Sequence, residues 1–539
     1  MTGQDLTVEK LSISFGGKQV VHDLSFQITP GKILAMVGES GSGKSVTARS
    51  LVGLAGEQAQ VTAGSLRLGD DDLLRLDEAS WGVIRGRKIG FVLQDALTSL
   101  DPLRTVGQEI EESLMADGKW RGLRNRAARR KQVLELFKST SVPEPEIRAR
   151  QRADELSGGL RQRALIASAI ALNPGIVIAD EPTTALDASA VSRVLGLFRD
   201  LKNAGHGILL ISHDIEAVSQ VADSIIVIKN GQMIEQGETE QILRHPSQDY
   251  TRLLLSSVPK KNHNSPQPST LQTNDETPLL VVNDIVKSYP NTTSASRLAV
   301  DHVSFTLRRG KTLGILGESG SGKTTTARIV AGFLEPDRGN VWFDGRLWSG
   351  VQAKTNRSVE EHERRPFRHE MGIVYQDPLS SFDPRWTVQR ILTDALKASA
   401  IPHAEHNDRI AALLTLVRLT PDISRRFPLQ LSGGQRQRIA IARAIAGNPK
   451  MIVCDEPVSA LDVSVQAQVL ELLTELQERL NISYLFISHD LGVIRQISDD
   501  VLVMQNGRVV ETGPTQQVFE APQHNFTRLL LNSKLPDYV

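Results

Sequence analysis

The chain is poor in the features that would tie it to an oxidising compartment, a membrane interior or a polyanion. Of its 539 residues only one is cysteine, Cys454. A single thiol forms no internal disulfide, cannot by itself hold an iron–sulfur cluster, and fits a reducing compartment. Neither sign of charge prevails: 62 Lys plus Arg balance 62 Asp plus Glu. Composition therefore supplies no bulk attraction to nucleic acid or to a membrane surface. The opening stretch MTGQDLTVEK lacks the basic and apolar regions of a secretory signal, and none is expected. No apolar run approaches the ~18 residues that a bilayer-crossing helix requires. If the protein works at a membrane, another chain is expected to supply the membrane part.

What is present suits globular domains: 40% hydrophobic and 23% charged residues. The length exceeds what one core usually supports, so two or more domains are expected. A long internal repeat says how they are arranged. LSFQITPGKILAMVGESGSGKS (24–45) answers to VSFTLRRGKTLGILGESGSGKT (303–324), and ELSGGLRQRALIASAIALNP (155–174) to QLSGGQRQRIAIARAIAGNP (430–449). IVIADEPTTALD (176–187) answers to MIVCDEPVSALD (451–462), and LLISHD (209–214) to LFISHD (485–490). The offset stays at about 275–282 residues, which means two whole domains rather than a solenoid.

Between the copies lies PKKNHNSPQPSTLQTNDETP (259–278), polar and without hydrophobic period, as in a solvated linker. We therefore expect a first domain at 1–258, a linker at 259–278 and a second domain at 279–539. Short apolar runs such as ILAMVG, GIVIAD and GILLIS read as buried parallel strands. Each meets a polar or Gly-rich segment and then a helical pattern, which predicts an α/β fold. Residues 97–154 and 379–428 have little strand signal and more helix formers, so each domain is expected to carry an inserted helical subdomain.

The loops Gly38, Glu39, Ser40, Gly41, Ser42, Gly43, Lys44, Ser45 and Gly317, Glu318, Ser319, Gly320, Ser321, Gly322, Lys323, Thr324 follow a strand and precede a helix. Glycines let main-chain N–H groups crowd phosphates, and the helix N-terminus adds partial positive charge. Lys44 and Lys323 would reach the β- and γ-phosphates of a nucleotide such as ATP, with Ser45 and Thr324 on Mg²⁺. Asp180 and Asp455 end apolar runs, where a carboxylate can hold metal-bound water. Glu181 and Glu456 follow at once; strand residues alternate faces, so the second acid suits a different task, general base on the attacking water. His213 and His489 close ISHD segments, from which a donor could touch the γ-phosphate. Gln94 and Gln376 end short apolar runs and could reach Mg²⁺ or the water. Ser157, Gly158, Gly159 and Ser432, Gly433, Gly434 stand before helical runs, making a second helix N-terminus suited to phosphate.

Taken together, the P-loops, LSGGLRQR and LSGGQRQR, the QD, DEP, ALD and SHD segments resemble ABC-transporter ATPases along nearly the whole chain, linker aside. The resemblance implies tandem P-loop NTPase domains, each with a RecA-like core. It implies two ATPs sandwiched head to tail, each between the P-loop of one half and the LSGG signature of the other. One chain would then be an intramolecular heterodimer. Asp187 and Asp462 would line the shared interface, and Phe15 and Tyr289 match the aromatic that stacks on adenine, although a core aromatic in a strand would look the same.

HPSQDYTRLLLSSVP (245–259) is similar to the C-terminal signature of peptide and nickel importer ATPases, and APQHNFTRLLLNSKLP (521–536) is a weaker version with Phe526 in place of Tyr250. An amphipathic helix docking on its own domain is its expected physical role. Leu160 stands where Gln435 closes the other signature, with a small effect expected, and Ala96 replaces the proline seen at Pro378. The basic run 119–131 reads as a solvated helix face, or else as a contact for anionic lipid.

The resemblance implies an energy-coupling ATPase of a bacterial importer for dipeptides or oligopeptides. It would lie on the cytoplasmic face of the inner membrane, with two permease subunits and an extracytoplasmic binding protein as partners and no nucleic acid. A soluble twin ATPase acting on ribosomes or DNA is the alternative. Its relatives carry a long charged inter-domain segment or zinc cysteines, which this chain lacks. An exporter is a third reading, disfavoured by the C-terminal marker.

Overall fold

The computed structural model describes residues 4–39, 41–94, 96–116, 126–184, 186, 188–256, 277–289, 297–351, 357–459, 461 and 463–532. The chain divides into two compact units, Met1–Val258 and Pro259–Val539. Most of the stretch 259–278 lies outside the described residues.

In the first unit a six-stranded sheet runs in the order Gln232–Glu238, Ser224–Lys229, Ile33–Val37, Gly207–Ser212, Ile176–Asp180, Ile89–Val92. All neighbours are parallel except the first pair. Ile33–Val37, Ile176–Asp180 and Gly207–Ser212 are buried at every position. That is why they read as unbroken apolar runs rather than as alternation: a parallel sheet is covered on both faces. A second, antiparallel sheet is built on Leu6–Phe15, flanked by Lys18–Ile28 on one side and by Ala59–Thr62 and Ser65–Leu68 on the other. Its apolar alternation changes phase at Lys10, whose φ of 49° sits at a register shift. Leu6 and Val8 before the bulge, and Leu11 and Ile13 after it, thereby all enter the same core.

The second unit repeats this plan. Its parallel sheet runs Met371–Val374, Met451–Asp455, Ser483–Ile487, Thr312–Gly317, Asp500–Gln505, ending in the antiparallel Arg508–Pro514. Leu280–Tyr289 takes the place of Leu6–Phe15 at the centre of the antiparallel sheet.

Within 97–154 and 379–428 the described residues form helices and turns and no named strand, as the sequence suggests. Val106–Met115 opens with a capping box: Thr105 Oγ1 accepts from Gln108 N at 3.4 Å, and Gln108 Oε1 accepts from Thr105 N at 3.0 Å. Its counterpart Val388–Ala398 buries Val388, Ile391, Leu392 and Leu396, one stripe at helical spacing. Each large side chain so buried contributes about 1.5–3 kcal/mol.

The basic run differs in part from its expected solvated face. Residues 119–125 lie outside those described, while Arg126, Arg130 and Lys131 on the helix Arg126–Ser139 are exposed. Arg129 is buried, because it shares a face with Val133, Leu136 and Phe137. Its aliphatic stem can cover apolar surface there.

Candidate active site

The sheet order brings four strand ends together in each unit. Open α/β sheets bind ligands at the carboxyl ends of their strands. Gly38 follows Val37, Gln94 follows Val92 by two residues, Asp180 ends its strand, and His213 follows Ser212. Val37 pairs with Ser212, and Asp180 with Ile211, so these ends are level.

The loop between Val37 and the helix Lys44–Ser50 turns through Gly43, whose φ of 98° caps the helix in the left-handed region. A Cβ there would lie 3.1 Å from both Val20 O and Val21 Cγ2, and at Gly322 it would lie 2.3 Å from Ala299 O. Only glycine meets both the dihedral and the close approach. Lys44 is buried, and its ammonium donates to Gly38 O at 2.7 Å and Glu39 O at 2.8 Å. Lys323 does the same with Gly317 O and Glu318 O, at 2.7 and 2.8 Å. Ser42 Oγ and Ser321 Oγ are buried without a hydrogen-bond partner at this loop. Ser40 lies outside the described residues.

Ser45 Oγ donates to Asp180 Oδ1 at 2.9 Å, and Thr324 Oγ1 to Asp455 Oδ1 at 3.3 Å. The next residues, Glu181 and Glu456, take φ values of 48° and 49°. Left-handed backbone is unfavourable for a glutamate. It is fixed here by main-chain bonds from Glu181 N to Ile211 O (2.9 Å) and from Glu456 N to Ile487 O (3.0 Å). Both carboxylates gather side chains from other strand ends. Glu181 Oε2 accepts from Gln94 Nε2 at 3.2 Å and Thr184 Oγ1 at 2.9 Å, and lies 3.3 Å from His213 Nδ1. Glu456 Oε2 accepts from Gln376 Nε2 at 3.0 Å and lies 3.1 Å from His489 Nδ1.

The adjacent acids have divergent proton affinities. Burial pushes the Asp180 carboxyl up, aided by the Glu181 charge and opposed by the Ser45 bond. Burial and Glu456 act on Asp455 in the same way. For Glu181 burial is outweighed by the bond and charge of His213 and by Lys44, and its carboxyl is held below the ordinary value. Burial alone would lower His213, yet Glu181 carries it above the usual imidazole value; Glu456 does the same for His489. Paired groups pushed apart in this way are what acid–base chemistry needs.

A magnesium ion fits these residues. Among the described residues Asp180 Oδ2 is buried without a hydrogen-bond partner, so the carboxylate has an acceptor to spare beside the Ser45 hydroxyl. Among the described residues no group of three or more His, Cys, Asp or Glu forms a ready metal cage. At this place the ion would rest on one hydroxyl, one carboxylate and water together with substrate phosphates.

The signature segments begin helices, Gly158–Ala169 and Gly433–Ile445, but they are not alike. Ser432 and Gln435 form a capping box, with bonds of 3.0 and 3.3 Å. Ser157 makes no side-chain cap, and Leu160, which packs on the core, has no side-chain amide to return the other half of a capping box. Phe15 is half-buried against the core, and Tyr289 is exposed. Asp187 and Asp462 lie outside the described residues.

Sequence reasoning overlooked Thr184, although it stands three residues after Glu181. It also overlooked Glu235 and Glu511, which fasten the C-terminal helices. Glu235 accepts from Ser247 N at 2.7 Å, and Glu511 from Gln523 N at 2.7 Å. The repeat itself, with acids at both places, was the available signal.

The ABC transporter family model matches residues 21–184 and again 300–459. A model described as oligopeptide/dipeptide transporter, C-terminal region, matches 234–279 and 510–537. The peptidoglycan transport ATP-binding protein YejF of Agrobacterium fabrum is 40% identical over 98% of this chain and 95% of its own length. The glutathione import ATP-binding protein GsiA of Escherichia coli O157:H7 is 38% identical over 98% of this chain and 89% of its own. Among solved structures, the archaeal ribosome recycling factor aABCE1, in complex with ribosomal stalk protein aP1, is similar with a TM-score of 0.60. That likeness covers 92% of this chain and 88% of that one, at 21% identity, and speaks for the fold alone. Two P-loop cassettes with the same Lys–Ser/Thr–Asp–Glu–Gln–His gathering, matched twice by one family model, make this chain an ATPase and a member of the ABC transporter ATP-binding proteins.

Proposed function

We propose that the protein is the energy-coupling ATPase of an importer for short peptides or peptide-containing molecules. The observation that carries this reading is the C-terminal region of each unit, which follows the oligopeptide/dipeptide transporter model in both copies. Relatives named for glutathione import and for peptidoglycan transport, both peptide-bearing cargoes, support the substrate class.

In this reading Lys44 and Lys323 leave their loop carbonyls for the β- and γ-phosphates of ATP. Ser45, Asp180 and Gln94 hold Mg²⁺ in the first site, and Thr324, Asp455 and Gln376 in the second. The ion, when bound, offsets charge on the phosphate oxygens. Glu181, whose carboxyl His213 and Lys44 hold below its ordinary value, and its counterpart Glu456 take a proton from the attacking water. The oxygen of that water bonds to the γ-phosphorus as the bond to ADP breaks. His213 and His489 keep Nδ1 on the glutamate and offer Nε2 toward the γ-phosphate. Gln94 and Gln376, whose amide N–H groups are turned to the same glutamates, offer the carbonyl oxygen to water or metal. Phe15 and Tyr289 stack on adenine.

The sites are crossed. Ser157, Gly158 and Gly159 complete the site of Lys323, and Ser432, Gly433 and Gly434 that of Lys44, with Asp187 and Asp462 along the shared surface. ATP then favours the closed pair of units over the open one, and hydrolysis releases it. Two permease subunits convert that closure into transport, and an extracytoplasmic binding protein delivers the cargo. In this reading the protein is a peripheral subunit on the cytoplasmic face of the inner membrane. Among the described residues no helix is long and apolar enough to cross a membrane.

Affinity purification from the native host tests this. Recovery with two membrane permeases, and release from the membrane when they are deleted, is the expected result. Recovery with ribosomes and no permease would overturn the importer reading.

A further inference from the structure

The peptide between Gly38 and Glu39 is held from both sides. Its carbonyl oxygen, on Gly38, accepts from Lys44 Nζ at 2.7 Å. Its N–H, on Glu39, donates to the Tyr250 hydroxyl at 3.3 Å, across 211 residues of sequence. Tyr250 belongs to the helix Asp249–Ser256, and its ring is buried in the core cluster that backs the parallel sheet. Lys229, which ends the strand beside Ile33–Val37, places its ammonium 4.3 Å from the ring centroid, within cation–π range. The start of the helix is fastened by Glu235, which accepts from Ser247 N and Oγ at 2.7 and 2.8 Å and from Gln248 N at 3.3 Å. The hydroxyl is thus delivered to the loop by a side chain fixed at its ring and at its helix.

The second unit keeps the fastening and changes the tip. Glu511 accepts from Gln523 N at 2.7 Å and His524 N at 3.0 Å. Phe526 is buried to the same degree as Tyr250, each 8% exposed. Phenylalanine has no hydroxyl, and Gln505 ends the strand where Lys229 ends its counterpart. Two P-loops that differ only at Ser45 and Thr324 are therefore supported differently from behind.

We propose that Tyr250 is a positioning residue of the first ATP site. Its hydroxyl sets the orientation of the Gly38–Glu39 peptide at the head of the phosphate loop. A loop whose first peptide is already turned loses less conformational freedom when phosphate arrives. The first site therefore binds MgATP more tightly than it would with phenylalanine at this position. The chemical step is untouched, because Tyr250 acts from behind the loop, through its main chain. The proposal rests on ATP binding alone and is independent of the cargo.

The full-length protein carrying Tyr250→Phe tests it. A photo-reactive ATP analogue is titrated, and the labelled halves are separated by proteolysis within residues 259–278. The apparent Kd of the N-terminal half is expected to rise about two- to tenfold, the net worth of one hydrogen bond. The C-terminal half, the saturated single-turnover rate and the melting temperature should stay as in wild type. Phe526 shows that this fold seats phenylalanine, so loss of folding is not expected. Lys229→Gln, which copies Gln505, should weaken the same half in the same direction. Unchanged affinity of the N-terminal half in Tyr250→Phe, or equal weakening of both halves, would overturn the proposal.

Discussion

Thr184 donates its hydroxyl to the carboxylate of Glu181 across 2.9 Å, whereas in the second unit the hydroxyl of Ser459 turns to the main-chain carbonyl of Glu456 at 3.1 Å. The two glutamates thus share their Gln and His contacts but differ at this hydroxyl. Each still has its Gln and His partner, and both are expected to work. Glu181→Gln or Glu456→Gln should each remove a general base worth about 10²–10⁴ in rate at its own site. MgATP binding should survive. Single-turnover assays of each variant check this, and a variant with wild-type hydrolysis would show that its site was already idle.

Gly433→Asp tests the proposed crossing of the sites. A Cβ at Gly433 meets only Leu461 Cδ2, at an ordinary 3.6 Å, and an acid in the first turn of a helix is favourable. The variant should therefore fold. If the sites are crossed as proposed, its carboxylate opposes the γ-phosphate held by Lys44, and like charges in a desolvated site repel strongly. Trapping of ATP should fail on the N-terminal half, with binding to the open P-loop intact. Loss confined to the C-terminal half would show that each unit serves its own signature.

The fastening of the C-terminal helix should depend on acid. Burial pushes the Glu235 carboxyl up, but the bonds from Ser247 and Gln248 outweigh it and hold the group below the ordinary glutamate value of 4.5. A depressed carboxylate contributes stability that is fully present above that value and is lost as pH falls through its folded pKa. Glu235→Gln should therefore lower the melting temperature at pH 7 by a few degrees. Below about pH 4.5, as the wild-type glutamate takes up its proton, the two proteins should converge. A difference that does not change with pH would assign the effect to shape rather than charge.

The purified protein should show no visible absorption from an iron–sulfur cluster. Its one thiol, Cys454, is buried in the strand Met451–Asp455. Bound iron in the chain made alone would contradict this.

The parts of the site that a short stretch of chain builds for itself were readable in advance. Lys44, Ser45 and the glycines announce a loop between strand and helix. Asp180, Gln94 and His213 announce themselves by ending apolar runs. The contacts among those stretches were not readable, because they depend on strand order. Gln94 meets Glu181 across 87 residues, and Tyr250 meets Glu39 across 211. The left-handed backbone of Glu181 was equally hidden: glutamate has no preference for it, and the bond that holds it runs to Ile211 on another strand. Arg129 misled for a simpler reason. A run of like charge says nothing about helix phase, and this arginine falls on the apolar side.

Burial pushes the Cys454 thiol far up, with the Asp455 charge adding to it, so almost none of it is thiolate at neutral pH. Maleimide dyes are therefore expected to leave Cys454 unmodified. A thiol introduced at an exposed position in each unit, such as Arg75 and Arg385, would be a unique attachment point without further engineering. A donor and acceptor dye pair placed there would test the proposed closing of the two units in single molecules, one nucleotide turnover at a time.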